Sequence, residues 1–271
     1  MQRKLGLIAG TGILPNLIIN ECKSRNREVV VLSFEGENRN TTITHEPSFI
    51  QPIGAIGKSI KILKENKCNE VVLAGGFKRP SFKSITGLDW TGAKLISKIA
   101  RSKGDDDSLS EVIKEIEKAG LKVIGLDEIL PSSIIQPGLK GKISTTKDND
   151  KDIELGINLL KNISEYDIGQ SVVVDSGRIV GIEGHEGTEL LIKRCSVHKS
   201  NLNQPILIKS TKVGQERRVD LPAVGEDTIN QLYQAGFIGL AIEAGSSIVL
   251  NKKRVISLAN KFNIFFLGFR N

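Results

Sequence analysis

Over the first 130 residues, short apolar runs alternate with stretches in which apolar residues recur every three or four positions. "KLGLIAG", "REVVVLSF", "NEVVLAGG" and "LKVIGLD" read as strands. "LPNLIINECKSR", "GKSIKILKEN", "GAKLISKIARSK" and "LSEVIKEIEKAG" read as amphipathic helices. Near-continuous apolar strands taking turns with helices need both sheet faces covered, so the pattern predicts βαβ units and a parallel sheet.

From Pro131 to Lys151 the periodicity stops, and "PSSIIQPGLKGKISTTKDNDK" reads as a linker. A second texture follows: a helix at "DIELGINLLKNI", then "QSVVVDSGRIVGIE", which predicts a hairpin turning at Asp175-Ser176-Gly177. Further strands are expected at "PILIKS", "GLAIEA", "SSIVL" and "NIFFLGF", with helices after Thr188, from Thr228 to Ala235, and at "RVISLANKF". The expected fold class is α/β: a Rossmann-like parallel-sheet domain over 1–130, a linker over 131–151, a C-terminal α/β domain over 152–271, and a cleft between the domains.

Composition narrows the class. A hydrophobic share of 39% and a charged share of 25% in 271 residues suit a soluble globular protein. The excess of 38 basic over 31 acidic side chains, +7 in net charge, suits an anionic partner. The lysines are scattered and aromatic residues make up 4%, which leaves few rings to stack bases and argues against nucleic acid. Cys22, Cys68 and Cys195 are widely spaced and form no CxxC pair, as expected in a reducing compartment. No apolar run approaches the ~18 residues of a spanning helix, so the expected location is cytoplasmic, with an anionic membrane face as a peripheral surface.

Four stretches carry candidate chemistry. "AGTGILP" closes the first strand and opens a helix, where the amides of Gly10, Thr11 and Gly12 can cradle a phosphate. Glu35 ends the second strand, as the ribose-binding acid of a dinucleotide fold does, but Pro15 stands where the third glycine of GxGxxG belongs. Phosphate cradle, NAD site and plain tight turn all remain open on these residues. "KGDDDSLSE" predicts a capping box from Ser108 to Glu111 and leaves Lys103, Asp105 and Asp106 as ligand or metal contacts.

"GHEGTE" lacks the second histidine of HExxH, because Glu189 takes its place. Its Gly187-Thr188 can bind an anion at a helix start, and Glu183, Glu186 and Glu189 offer oxygen to a hard cation. "QERRVDLPAVGEDTI" is the richest stretch. If residues 217–221 are extended, Arg218 and Asp220 project to one side about 7 Å apart. Lys212, Arg217 and Arg218 add positive charge, Glu216 and Asp220 oxygen, and Thr228 opens a helix facing the same loop. A surface ion pair worth about 0–1 kcal/mol gives little reason to fix the turn with Pro222 and Gly225, so the pair reads as a site.

"KLGLIAGTGILP", "KGDD", "DIGQSVVV", "EGTE" and "RVDLPAVGEDTI" occur in the order found in the UDP-2,3-diacylglucosamine pyrophosphatase family of the LpxI type, from lipid A biosynthesis in Gram-negative bacteria, and the chain resembles that family over nearly its whole length. The resemblance implies a two-domain enzyme that hydrolyses UDP-2,3-diacylglucosamine with Mg²⁺ or Mn²⁺, by water attack on the α-phosphorus, to UMP and 2,3-diacylglucosamine 1-phosphate (lipid X). The carboxylate the family depends on falls by motif on Asp220, as base or metal ligand, with Glu186 as a second metal ligand. Lys212 and Arg218 then neutralise phosphate charge. Gly10, Thr11, Gly12, Leu14, Lys103, Asp105 and Asp106 hold substrate from one domain, and Gln170, Thr188 and Thr228 from the other. Two departures stand out: Gly10-Thr11-Gly12 where members often read GGG, and Gly187-Thr188-Glu189 where they often read GTD. The expected partners are the lipid-linked UDP-sugar, the cytoplasmic face of the inner membrane and a second copy of the chain. The alternatives are an NAD-linked oxidoreductase using the first glycine loop, and a nucleotide-binding module without turnover.

Overall fold

The computed structural model describes residues 3–35, 43, 45–77, 85–99, 105–166, 168–196, 203–212, 216–219 and 221–270, with backbone alone at 105–108. The chain forms two compact units. One comprises Met1–Pro131 with Glu216–Asp220, the other Ser132–Gln215 with Leu221–Asn271.

In chain order the first unit carries β1 (Leu5–Ala9), α1 (Leu14–Ser24), β2 (Val29–Phe34), β3 (Ser48–Gln51), α2 (Ile56–Glu65), β4 (Glu70–Ala74), α3 (Trp90–Ile99), α4 (Asp105–Lys118), β5 (Lys122–Val123) and α5 (Leu126–Ile129). The five strands are parallel in the order β3-β2-β1-β4-β5. The order reverses between β1 and β4, the place where doubly wound sheets bind ligands beyond their carboxyl ends. Ile8, Val30, Leu32, Val71 and Leu73 form one core with Leu63 of α2 and Ile113 and Ile116 of α4. Alternate residues such as Leu7, Val31 and Val72 are equally buried, so the sheet is covered on both faces. β3 had no counterpart in the sequence pattern, because this edge strand reads Ser-Phe-Ile-Gln and only Gln51 is buried.

The second unit carries β6 (Gly138–Leu139), α6 (Lys147–Ile163), β7 (Ser171–Asp175), β8 (Arg178–Ile182), α7 (Gly187–Ser196), β9 (Ile206–Lys209), β10 (Ala223–Val224), α8 (Glu226–Ala235), β11 (Gly239–Glu243), β12 (Ile248–Val249), α9 (Lys252–Lys261) and β13 (Phe265–Phe269). Residues 131–151 hold a short 3-10 turn, β6 paired antiparallel to β13, and the opening of α6. The main sheet runs β6-β13-β11-β9-β7-β8, with β9, β11 and β13 mutually parallel. It forms the middle of three layers. Val173, Leu207, Leu240 and Ile242 pack against α7, α8 and α9, while Val172, Val174, Ile206 and Ile208 pack against Ile153 and Leu160 of α6. The hairpin β7–β8 turns through Ser176 and Gly177 at φ 51° and 78°, the positive pair a two-residue hairpin turn requires. Among the described residues, no helix is long and apolar enough to cross a membrane.

Candidate active site

In the first unit the two loops that leave β1 and β4 at the strand-order reversal are locked together. Thr11 and Gly76 exchange both backbone hydrogen bonds at 2.9 Å, and the Thr11 hydroxyl donates to the Gly76 carbonyl at 3.2 Å. Glycine is a steric requirement here: a Cβ on Gly10 would lie 2.5 Å from the Gly76 carbonyl oxygen, and one on Gly75 2.5 Å from that of Thr11. Gly12 continues at φ 94°, a conformation costly for any residue with a Cβ. α1 then starts at Leu14, and Ile13 at its N-cap has no side-chain oxygen to satisfy the first amides. A rigid glycine turn thus leads into the positive end of a helix at the switch point of the sheet.

The acidic stretch differs from expectation. α4 already starts at Asp105, so Ser108 is inside the helix and not at the N-cap position the predicted capping box needs. Glu111 instead bonds Lys114 at 2.6 Å and lies 3.4 Å from Lys98, which hold its carboxyl below the usual range. Asp105 and Asp106 occupy the first turn of α4, and Lys103 lies outside the described residues.

The segment 216–219 belongs to the first unit although it lies far along the chain. It is not extended: the Val219 amide donates to the Glu216 carbonyl at 3.1 Å and closes a turn. Val219 packs on the first-unit core. The Arg218 guanidinium donates to both oxygens of Glu216, at 2.9 and 2.8 Å, and to Glu117 of α4 at 2.6 Å. These bonds, first the one to Glu216, raise its already high pKa further and depress that of Glu216. Three of the five guanidinium N–H donors are thereby used within the unit. Asp220, next in the chain, lies outside the described residues.

In the second unit a polar rim gathers where the parallel strands end. Glu183, which follows β8, is 6% exposed; it accepts from the Thr188 hydroxyl at 2.9 Å and from the Gln170 amide at 3.2 Å. Lys209, ending β9, donates to the Thr188 hydroxyl at 2.7 Å, and the Ser171 hydroxyl lies 3.3 Å from the same oxygen. Among the described residues, the buried Gln170 side-chain oxygen has no hydrogen-bond partner. At the end of β11, Glu243 accepts from Ser210 Oγ at 2.7 Å, from Thr211 N and Oγ1 at 2.8 and 2.6 Å, and from Ser246 Oγ at 3.3 Å. Burial acts to raise its pKa, but the hydrogen bonds outweigh it and the carboxyl titrates below its ordinary range. Lys212 follows directly, half-buried. Thr228 is in the first turn of α8, where its hydroxyl accepts from the Gly225 amide at 3.3 Å.

Of the predicted substrate residues, Gly10, Thr11 and Gly12 thus share one loop, Gln170 and Thr188 share one network, and Arg218 is tied to two glutamates. Lys209 and Glu243 were missed as site residues, because a charged residue closing an apolar strand gives no sign of which hydroxyls it meets. Glu186 is paired with Arg194 at 2.7 Å and accepts from the Gly184 amide at 3.1 Å, which hold its carboxyl below the usual range. Among the described residues no three His, Cys, Asp or Glu side chains stand together as a metal cage.

Two family models cover the chain: the LpxI N-terminal domain matches residues 4–133 and the LpxI C-terminal domain residues 136–267. A protein of Caulobacter vibrioides, UDP-2,3-diacylglucosamine pyrophosphatase LpxI, is 32% identical over 275 residues, 98% of each chain. Among solved structures, the biotin carboxylase subunit of a pyruvate carboxylase aligns over 71% of this chain and 40% of its own, at 14% identity and a TM-score of 0.29. The biotin carboxylase domain of Hydrogenobacter thermophilus 2-oxoglutarate carboxylase aligns over 74% of this chain and 42% of its own, at 12% identity and a TM-score of 0.30. The chain thus spans about two fifths of those structures, and such scores carry no statement about function.

Proposed function

The chain belongs to the LpxI family, and from that premise we propose that it hydrolyses the pyrophosphate bond of UDP-2,3-diacylglucosamine in lipid A biosynthesis. The observation that carries the proposal is the 32% identity to a pyrophosphatase of that substrate across 98% of both chains. In the proposed reaction a water oxygen bonds to the α-phosphorus and the bond from that phosphorus to the bridging oxygen breaks. UMP leaves with the water oxygen, and 2,3-diacylglucosamine 1-phosphate keeps the bridging one.

Asp220 is the proposed base for the water. Arg218 then has a role that suits its bonds to Glu216 and Glu117: it anchors the turn from which Asp220 follows. Lys212 is the proposed counter-charge to the phosphate oxygens. The Gly10 and Thr11 amides donate to the Ala74 and Gly76 carbonyls, so the glycine turn is proposed to direct substrate phosphate to the opening of α1 at Leu14, supported by its place at the strand-order reversal. Gln170 and Thr188 are the proposed wall of the second unit. Dependence on Mg²⁺ or Mn²⁺ is part of the proposal, and a bound cation of that kind stabilises phosphate charge as a Lewis acid. The described carboxylates form no cage for it. The net charge of +7 supports work at the anionic cytoplasmic face of a membrane.

The test incubates purified protein with radiolabelled UDP-2,3-diacylglucosamine, with Mg²⁺ or with EDTA, comparing the native chain with Asp220→Asn. UMP release that needs both the cation and the aspartate is expected. Unchanged release by the variant removes Asp220 from the mechanism, and no release by the native protein overturns the proposed activity.

A further inference from the structure

The hydroxyl of Thr188 has one hydrogen and two lone pairs. Its hydrogen goes to Glu183, so the short contacts with Lys209 and Ser171 must be donations to its lone pairs. The protein therefore saturates this hydroxyl, and Thr188 has no hydroxyl bond left for a ligand. What it does instead is join a buried ammonium, 4% exposed, to a buried carboxylate, 6% exposed.

That bridge ties three segments of the second unit. The second oxygen of Glu183 holds the Gln170 amide, and the Gln170 carbonyl accepts from the Ser210 amide at 3.0 Å, next to Lys209. Gly169 permits the close pass, since a Cβ there would lie 2.2 Å from the Glu183 carbonyl oxygen. The loop entering β7, the turn into α7 and the end of β9 are thus held by one chain of hydrogen bonds through side chains and the Gln170 backbone. Burying both charges is costly unless geometry and hydrogen bonding are good, and an apolar core would have joined these segments at less cost. The Gln170 side-chain oxygen, buried and without a hydrogen-bond partner among the described residues, lies in the loop this network holds.

We propose that Lys209 and Glu183 are positioning residues which, bridged by the Thr188 hydroxyl, fix the Gln170 loop and the first turn of α7 as one substrate wall. The inference rests on the pyrophosphatase reading above.

The test uses Thr188→Val, which keeps the shape and removes the hydroxyl, Thr188→Ser, which restores it, and Lys209→Met. Glu183→Gln keeps shape and one acceptor, so it stands in where a variant fails to fold. Each is assayed at a temperature where circular dichroism shows it folded, for kcat and KM with UDP-2,3-diacylglucosamine and for Kd with UMP by calorimetry. Thr188→Val, Lys209→Met and Glu183→Gln are expected to lower kcat/KM at least tenfold, with Thr188→Ser within threefold of the native protein. A folded Thr188→Val, Lys209→Met or Glu183→Gln variant within threefold of native overturns the inference, as does a Thr188→Ser variant impaired as much as Thr188→Val. A native protein that binds UMP without turnover overturns the activity instead, and the inference then stands or falls on whether UMP affinity separates Thr188→Val from Thr188→Ser. Neither binding nor turnover overturns both.

Discussion

The Lys209 ammonium lies 2.7 Å from the Thr188 hydroxyl, and that hydroxyl passes its own hydrogen to Glu183. A hydroxyl between two charges lets both stay buried where direct contact would demand that their chain segments approach more closely. One strand further along, the hydroxyls of Ser210, Thr211 and Ser246 surround the Glu243 carboxylate. Serine and threonine hydroxyls, together with backbone amides of Gln170 and Thr211, thus satisfy both buried carboxylates of this rim.

Glu243 should make stability depend on acid. Its folded pKa is depressed below the ordinary 4.5, so its contribution is complete above that value and is lost as pH falls through the lower folded pKa. Glu243→Gln removes the charge and turns an amide N–H₂ toward the donors. The urea midpoint of the variant should therefore lie below that of the native protein at pH 7, with the gap narrowing as pH falls below about 4.5.

The Arg218 cluster should divide unequally. Glu117 and Arg218 are 39% and 35% exposed, so Glu117→Gln should cost only about 0–1 kcal/mol in urea unfolding. Glu216 supplies two bonds to the guanidinium and accepts from the Arg218 amide, so Glu216→Ala should cost more, about 1–2 kcal/mol after solvent screening.

Gly10→Ala sets a methyl against a backbone carbonyl pinned by the Thr11–Gly76 pair. The expected loss is about 1–3 kcal/mol, read from the urea midpoint. A methyl in Gly12→Ala meets no atom of the described residues within 4 Å, yet at φ 94° it should still cost about 1–3 kcal/mol of backbone strain.

Cys22, Cys68 and Cys195 are all buried, and burial raises the pKa of each thiol, that of Cys68 to about 11. Since the thiolate is the reactive form, a disulfide reagent at pH 8 should leave the folded protein unmodified and titrate three thiols in denaturant.

Most strands and helices were legible because burial on both faces of each sheet writes strands as unbroken apolar runs, as in "REVVVLSF" and "PILIKS". The short edge strand β3 was not, since its exposed Ile50 and half-buried Ser48 obey no period. Ser108 misled because a capping pair has the same spacing inside a helix as at its start. The alternation that set Arg218 and Asp220 on one side presumed an extended segment, whereas residues 216–219 turn and contacts 101 positions away and two positions away hold Arg218. The glycine turn was visible as a motif, but the reason for glycine, a carbonyl from another loop, is a fact of the third dimension.

The placement of residues 216–219 within the first unit has a consequence for biosynthesis. While the ribosome is still making the second half, the nascent N-terminal layer lacks Val219 over its core and lacks a cation for Glu117. The earlier-made module is thus finished by a later-made stretch, and a polypeptide cut after residue 131 would leave bare the apolar surface that Val219 covers.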